Sequence, residues 1–193
     1  VTLGMMTILV GIGLTYSEGH PIIGINENLL FIGQGEVGPI PVQTILFAAV
    51  AVIGAVILNY TRIGRYIFAI GGNQEGSRLS GIAVDRVKII VYTLSGALSG
   101  FAGAIMSAHL NIGEANLGSG LELDAIAAVV VGGTSLSGGQ GSIGGTVIGV
   151  LIIGMINNFL NLINVPGYTQ KIVKGVIIVG AVLIQSVQSS RKK

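Results

Sequence analysis

Apolar and polar positions in this chain fall into long blocks, not into the close alternation of a water-soluble fold. Apolar runs cover residues 1–14, 42–60, 89–110, 124–136, 143–163 and 172–187. Stretches 42–58 and 143–160 hold no Asp, Glu, Lys or Arg. Such uncharged runs approach the ~20 residues that a helix needs to cross the apolar core of a bilayer. The pattern predicts an all-α, multi-pass transmembrane helical bundle with six spanning or partly spanning segments. The polar blocks differ in kind. Residues 16–41 are rich in Gly and Pro, with Glu18, Glu27 and Glu36 and no basic residue; 61–88 holds Arg62, Arg65, Arg78, Arg86 and Lys88; 111–123 carries Glu114 and Glu122.

Composition sharpens the membrane reading. Only 9% of the 193 residues are charged, against ~25% in a typical soluble domain. Without cysteine, disulfides, thiolate metal sites and Cys nucleophiles are excluded. The net charge of +2 matters less than its placement: five basic residues lie in 61–88 and three at 191–193. Lys and Arg mark the cytoplasmic side, so 61–88 and the C-terminus are expected inside and both acidic loops outside. An odd number of crossings must then separate residue 111 from residue 191. That makes 124–136 a third, short crossing beside the two long helices that follow. A re-entrant hairpin there would put the tail outside, against the 191–193 charges. Val1 stands inside an apolar run and no Lys or Arg precedes Arg62. A signal-peptide n-region is therefore not recognised, and the chain reads as the C-terminal portion of a longer membrane protein.

Gly139, Gly141 and Gly144 have the spacing G-x-G-x-x-G of a dinucleotide loop. Such a loop needs an acidic residue ~20 positions on, and no Asp or Glu follows Asp124. Helix packing is the better reading. Gly141, Gly145 and Gly149 fall four apart, the small-xxx-small spacing that lets helices approach. Ser95, Ser99 and Gly103 make a second ridge, with Gly96, Gly100 and Ala104 beside it. Gly132-Gly133 and Gly138-Gly139 are expected to form the tight link between a short helix and a long one. Within 61–88, Glu75, Leu79 and Ile82 are spaced for one face of a short amphipathic helix bracketed by Gly71, Gly72 and Gly81.

Other polar residues carry two readings each. Asn157, Asn161 and Asn164 recur at i, i+4 and i+7, with Asn158 alongside. An intramembrane amide row serves as interhelical glue or lines a wet pathway. Glu122 and Asp124 precede a short helix and are expected to cap it, with contact to an extracytoplasmic partner as the second reading. His109 and His20 lack further ligands at metal spacing. No Ser–His–Asp or paired-carboxylate arrangement and no G-x-x-x-x-G-K-[ST] occurs. Hence no enzyme site, no bound cofactor and no nucleic-acid partner are expected of this chain.

The stretches "GRYIFAIGGNQEGSRLSGI" and "ELDAIAAVVVGGTSLSGGQGSIGGTVIGVLIIGMINNFLNLI" closely resemble permease subunits of ribose- and monosaccharide-type ABC importers. The resemblance runs from about Gly64 to Lys174. It implies a single permease domain over 1–193 in the bacterial cytoplasmic (inner) membrane. Two permease subunits would pair around the pathway, an extracytoplasmic sugar-binding protein would deliver the sugar, and a partner ATPase would use ATP. Glu75-Gly76-Ser77 with Gly81 resembles the E-A-A-x-x-x-G coupling loop, although Gly76 and Ser77 replace both alanines. The resemblance thus assigns Glu75, Gly76, Ser77, Leu79, Gly81 and Ile82 to ATPase coupling. It also gives the Asn157, Asn161 and Asn164 row a sugar to face. A branched-chain amino-acid ABC permease is the nearest alternative. A secondary transporter is the next, and it would need intramembrane carboxylates for ion coupling.

Overall fold

The computed structural model of the chain describes residues 2–190, without the side chains at 28, 178, 181, 182 and 184–190. The 191–193 charges invoked for topology lie outside the described residues. In chain order the elements are α1 (Thr2–Tyr16), β1 (Ile22–Ile23), α2 (Glu27–Gln34), β2 (Glu36–Val37), β3 (Ile40–Pro41), α3 (Val42–Tyr60), α4 (Arg62–Gly72), α5 (Gln74–Leu79), α6 (Val84–Leu110), β4 (Ile112–Gly113), α7 (Leu121–Val131), α8 (Ile143–Leu162) and α9 (Gly167–Ser190). The architecture is helical. The strands are two-residue ribbons, β1 antiparallel to β4 with Ile22 opposite Gly113, and β2 antiparallel to β3.

Three of these helices, α3, α6 and α8, are long and apolar enough to cross a membrane. At 1.5 Å per residue they measure about 28, 40 and 30 Å. Each exposes large apolar side chains: Ile53 on α3, Leu98 on α6, Leu151 and Met155 on α8. In water such a surface would aggregate; a bilayer or further helices are its natural surroundings.

The chain divides into two compact units, residues 1–50 with 90–119 and residues 51–89 with 120–193, so that the division falls inside α3 and α6. In the first, Gly33 of α2 lies directly on Ala108 of α6, where a Cβ would stand 2.7 Å from the Ala108 Cβ. Asn111, in the left-handed conformation at φ 55°, accepts the Ile25 N–H at 3.0 Å. In the second, α7 runs antiparallel along α8 around Ala127, Ala128 and Ile153, with Val131 and Ile177 packed against them.

Several boundaries differ from the apolar blocks. Helix α6 begins at Val84 rather than 89, and α9 at Gly167 rather than 172. Polar first turns extend both helices beyond their apolar runs. Helix α7 stops at Val131 instead of reaching 136, because Gly133 takes φ +85°. There the Gly133 N–H bonds the Val130 carbonyl and the Thr134 N–H bonds the Val129 carbonyl, the Schellman ending of a helix. At about 16 Å, α7 is shorter than a ~30 Å apolar core.

Candidate functional site

The 61–88 segment folds into a small platform. Thr61 ends α3 and starts α4: its hydroxyl donates to the Ile57 carbonyl at 2.6 Å and accepts the Gly64 N–H at 3.3 Å. Asn73 does the same between α4 and α5. Its N–H donates to the Ala69 carbonyl, closing α4, while its side chain accepts the Gly76 N–H at 2.9 Å and opens α5. One residue satisfies both helix ends. Ser77 is buried and its hydroxyl donates to the Asn73 carbonyl at 2.8 Å.

Helix α5 ends in a second Schellman turn, with Ile82 N–H bonding the Ser77 carbonyl and Gly81 N–H the Arg78 carbonyl. Gly81 sits at φ +82°, where glycine carries no Cβ penalty. Ile82 is therefore the residue beyond the turn, not part of a helical face with Glu75 and Leu79, and the expected three-residue face is corrected to two. Glu75 is exposed and Leu79 is 83% exposed, whereas Val84 and Val87 in the first turn of α6 are buried. Arg78 and Asp85 pair at 3.3 Å across the turn, an exposed contact worth little.

The glycine cluster splits into two roles. Gly145 and Gly149 lie on α8 against α7: a Cβ on Gly145 would fall on the Gly132 carbonyl oxygen, and one on Gly149 would fall on the Ala128 carbonyl. Gly141 is not on that face, because α8 begins only after Ser142, which caps it by accepting the Gly145 N–H at 3.0 Å. Gly141 instead packs on Thr134, 2.8 Å from its Cγ2 if a Cβ were added. Gly138 and Gly139, at φ +89° and +74°, turn the link and touch α4 at Gly71 and Gly72. The α6 ridges behave differently. A Cβ at Gly96, Gly100 or Gly103 would meet nothing within 4 Å, and Ser95 and Ser99 are exposed. Within its own compact unit, no described helix covers that face.

The amide row is shorter than its spacing implied. Asn157 and Asn161 are on α8, but Asn164 lies past its end at φ 54°. Its N–H bonds the Asn161 carbonyl and Val165 N–H the Leu160 carbonyl, so Asn164 is the left-handed residue of a third Schellman turn. Asn161 accepts from Gln170 of α9 at 2.8 Å, which is interhelical glue. The Asn157 Oδ1 is enclosed, with no hydrogen-bond partner among the described residues.

Glu122 caps, its carboxylate accepting the Gly120 N–H at 3.0 Å. Asp124 does not. It accepts from Lys174 Nζ of α9 at 2.8 Å, with side chains 18% and 24% exposed. Lys174 is the residue sequence reasoning missed. The signal was a cation within the last apolar run, since an intramembrane charge calls for a partner. His109, in the last turn of α6, meets Gln43 at 2.8 Å and the Gly33 carbonyl at 3.0 Å. His109 and Gln43 form the polar end of a cavity of about 370 Å³ walled by Phe47, Val50, Leu98 and Phe101.

Residues 1–182 match the family described as "Branched-chain amino acid transport system / permease component". The chain is 48% identical over 191 residues to the ribose import permease protein RbsC of Bacillus subtilis, an alignment covering 98% of this chain and 59% of that protein. It is 44% identical over 154 residues to the xylose transport system permease protein XylH of Haemophilus influenzae, covering 80% and 40%. Against the L-arabinose transport system permease protein AraH of Escherichia coli it is 36% identical over 192 residues, covering 100% and 58%. The chain thus spans less than two thirds of these relatives' length. No solved structure matches it.

Proposed function

Because the chain belongs to the family of branched-chain amino acid transport system / permease components, we propose that it forms part of the permease subunit of an ATP-driven importer. Its cargo is a monosaccharide, a ribose-like sugar, moved across the cytoplasmic membrane by alternating access. Relatives named for ribose, xylose and arabinose support a sugar over a branched-chain amino acid.

The observation that carries the coupling role is the 61–88 platform. A six-residue helix fixed at both ends holds Leu79 almost wholly clear of the chain. Such a side chain is a natural anchor for a partner's pocket, and the partner is the ATPase subunit that hydrolyses ATP. A sugar-binding protein delivers cargo outside, and a second permease subunit completes the pathway. The basic residues of 61–88 support a cytoplasmic platform. The 132–142 link, docked on the end of α4, follows it there. Helix α7 then crosses inward, α8 returns and α9 crosses again, leaving the C-terminus cytoplasmic.

Leu79→Asp tests the docking, since an exposed residue changes without disturbing the fold. Gly81→Asp is less decisive: its Cβ meets open space, and Asp tolerates a positive φ better than most residues. In the full-length permease, Leu79→Asp should preserve membrane expression but lose both the co-purifying ATPase and uptake. Uptake at the wild-type rate would sink the docking role. Reconstituted with its partners, the protein should accumulate labelled ribose, xylose or arabinose; leucine accumulation instead would move it to the amino-acid reading.

A further inference from the structure

The link between α7 and α8 is fastened to α4 by backbone. A Cβ on Gly71 would stand 2.5 Å from the Gly139 nitrogen, and one on Gly138 would stand 3.1 Å from the Gly71 carbonyl carbon. The two main chains touch because neither side carries a Cβ. Beside the contact is a cavity of about 310 Å³, with Ile67 and Phe68 of α4 facing Thr134, Ser135 and Gln140 of the link. The contact is therefore narrow, with room around it.

At its far end the link is held by Gly132, whose added Cβ would be 2.9 Å from the Thr146 Cα. At the near end α4 shares Asn73 with α5. A continuous path of fixed contacts thus runs from α5 through Asn73 and α4, across Gly71 and Gly139, into α7 and α8. Side-chain contacts absorb small displacements by changing rotamer; a main-chain contact has no rotamer to change and passes the displacement on.

We propose that the Gly71–Gly139 contact is the joint through which the docking element drives α7 and α8, with Gly71 and Gly139 as positioning residues. The proposal rests on the docking role of Leu79 argued above. Gly72 supplies the matched control: its Cα belongs to the contact, 2.9 Å from where a Cβ on Gly139 would stand, but a Cβ on Gly72 itself points away and meets nothing within 4 Å. Both Gly71→Ala and Gly72→Ala replace a helical glycine by the best helix former, and only the first wedges the joint.

The test uses the full-length permease with its ATPase and binding protein in proteoliposomes. Gly72→Ala should transport like the wild type. Gly71→Ala should keep the ATPase bound, lose its stimulation by sugar-loaded binding protein, and take up sugar about tenfold more slowly or worse, as ångström-scale misplacements do in positioned sites. Normal uptake by Gly71→Ala, or equal losses in both variants, would overturn the joint. So would loss of the bound ATPase from Gly71→Ala, which would put Gly71 in the docking surface itself. Normal uptake by Leu79→Asp would remove the docking role by a separate readout. Should Gly71→Ala fail to accumulate, a reversible thiol cross-link between Phe68→Cys and Gln140→Cys decides the matter. Parts that move as one body tolerate the link, and uptake should persist; uptake that is lost and then restored on cleavage would show that they slide.

Discussion

Asp124 and Lys174 each sit in an apolar helix, and each is tolerable because of the other. Their ion pair at 2.8 Å joins α7 to α9, and removing one partner leaves the other enclosed and uncompensated. Lys174→Met is expected to destabilise the full-length permease by about 3 kcal/mol. Asp124→Asn combined with Lys174→Met should recover most of that loss, because no lone charge remains. Thermal unfolding of the purified proteins in detergent measures both, and equal Tm values for single and double variants would contradict the pairing. The pair was half legible in the sequence. Charges within apolar runs could be seen, but spacing along the chain says nothing about a partner fifty positions away. Ile82 and Asn164 were misplaced for a different reason. Both stand just past a helix end, where hydrophobic or amide periodicity continues although the backbone has already turned.

Among the elements, α7 and α8 make the tightest pair. Gly132 faces Gly145 and Ala128 faces Gly149, so carbonyl oxygens of one helix lie against Cα atoms of the other. Gly145→Leu should separate them along their length and cost about 3 kcal/mol or more through overpacking. Gly144→Ala, one position away, meets open space and should be neutral or stabilise by up to about 1 kcal/mol through helix propensity. Yields of monodisperse protein after extraction compare the two, and indistinguishable yields would remove the zipper from the account. The small-xxx-small spacing revealed this interface at Gly145 and Gly149. It could not reveal that Gly141 precedes the helix, which depends on the Ser142 cap. Nor could it tell that the same spacing in α6 finds no neighbour within its own compact unit.

At the scale of the whole molecule, apolar block length made the helices legible, since the bilayer thickness fixes how long a span must be. The ends were less so, because caps rather than hydrophobicity set them. The topology remains a proposal with a direct test. Cysteines placed singly at Ser17 and Asn164 of the full-length permease should react with an impermeant maleimide in intact cells. Those at Ser77 and Ser137 should react only with a permeant one. Labelling of Ser137→Cys from outside would turn α7 into a re-entrant helix and reverse the orientation of α9.

The Asp124–Lys174 pair also sets a schedule for synthesis. Fifty residues separate the two, so at about 5–20 residues per second the ribosome takes roughly 3–10 s to supply the lysine after the aspartate. During that interval α7 is too short to hold its place in lipid and carries an uncompensated carboxylate. Under the proposed topology, α7 is then expected to await α8 and α9, so that the three helices settle in the bilayer together once Lys174 reaches Asp124.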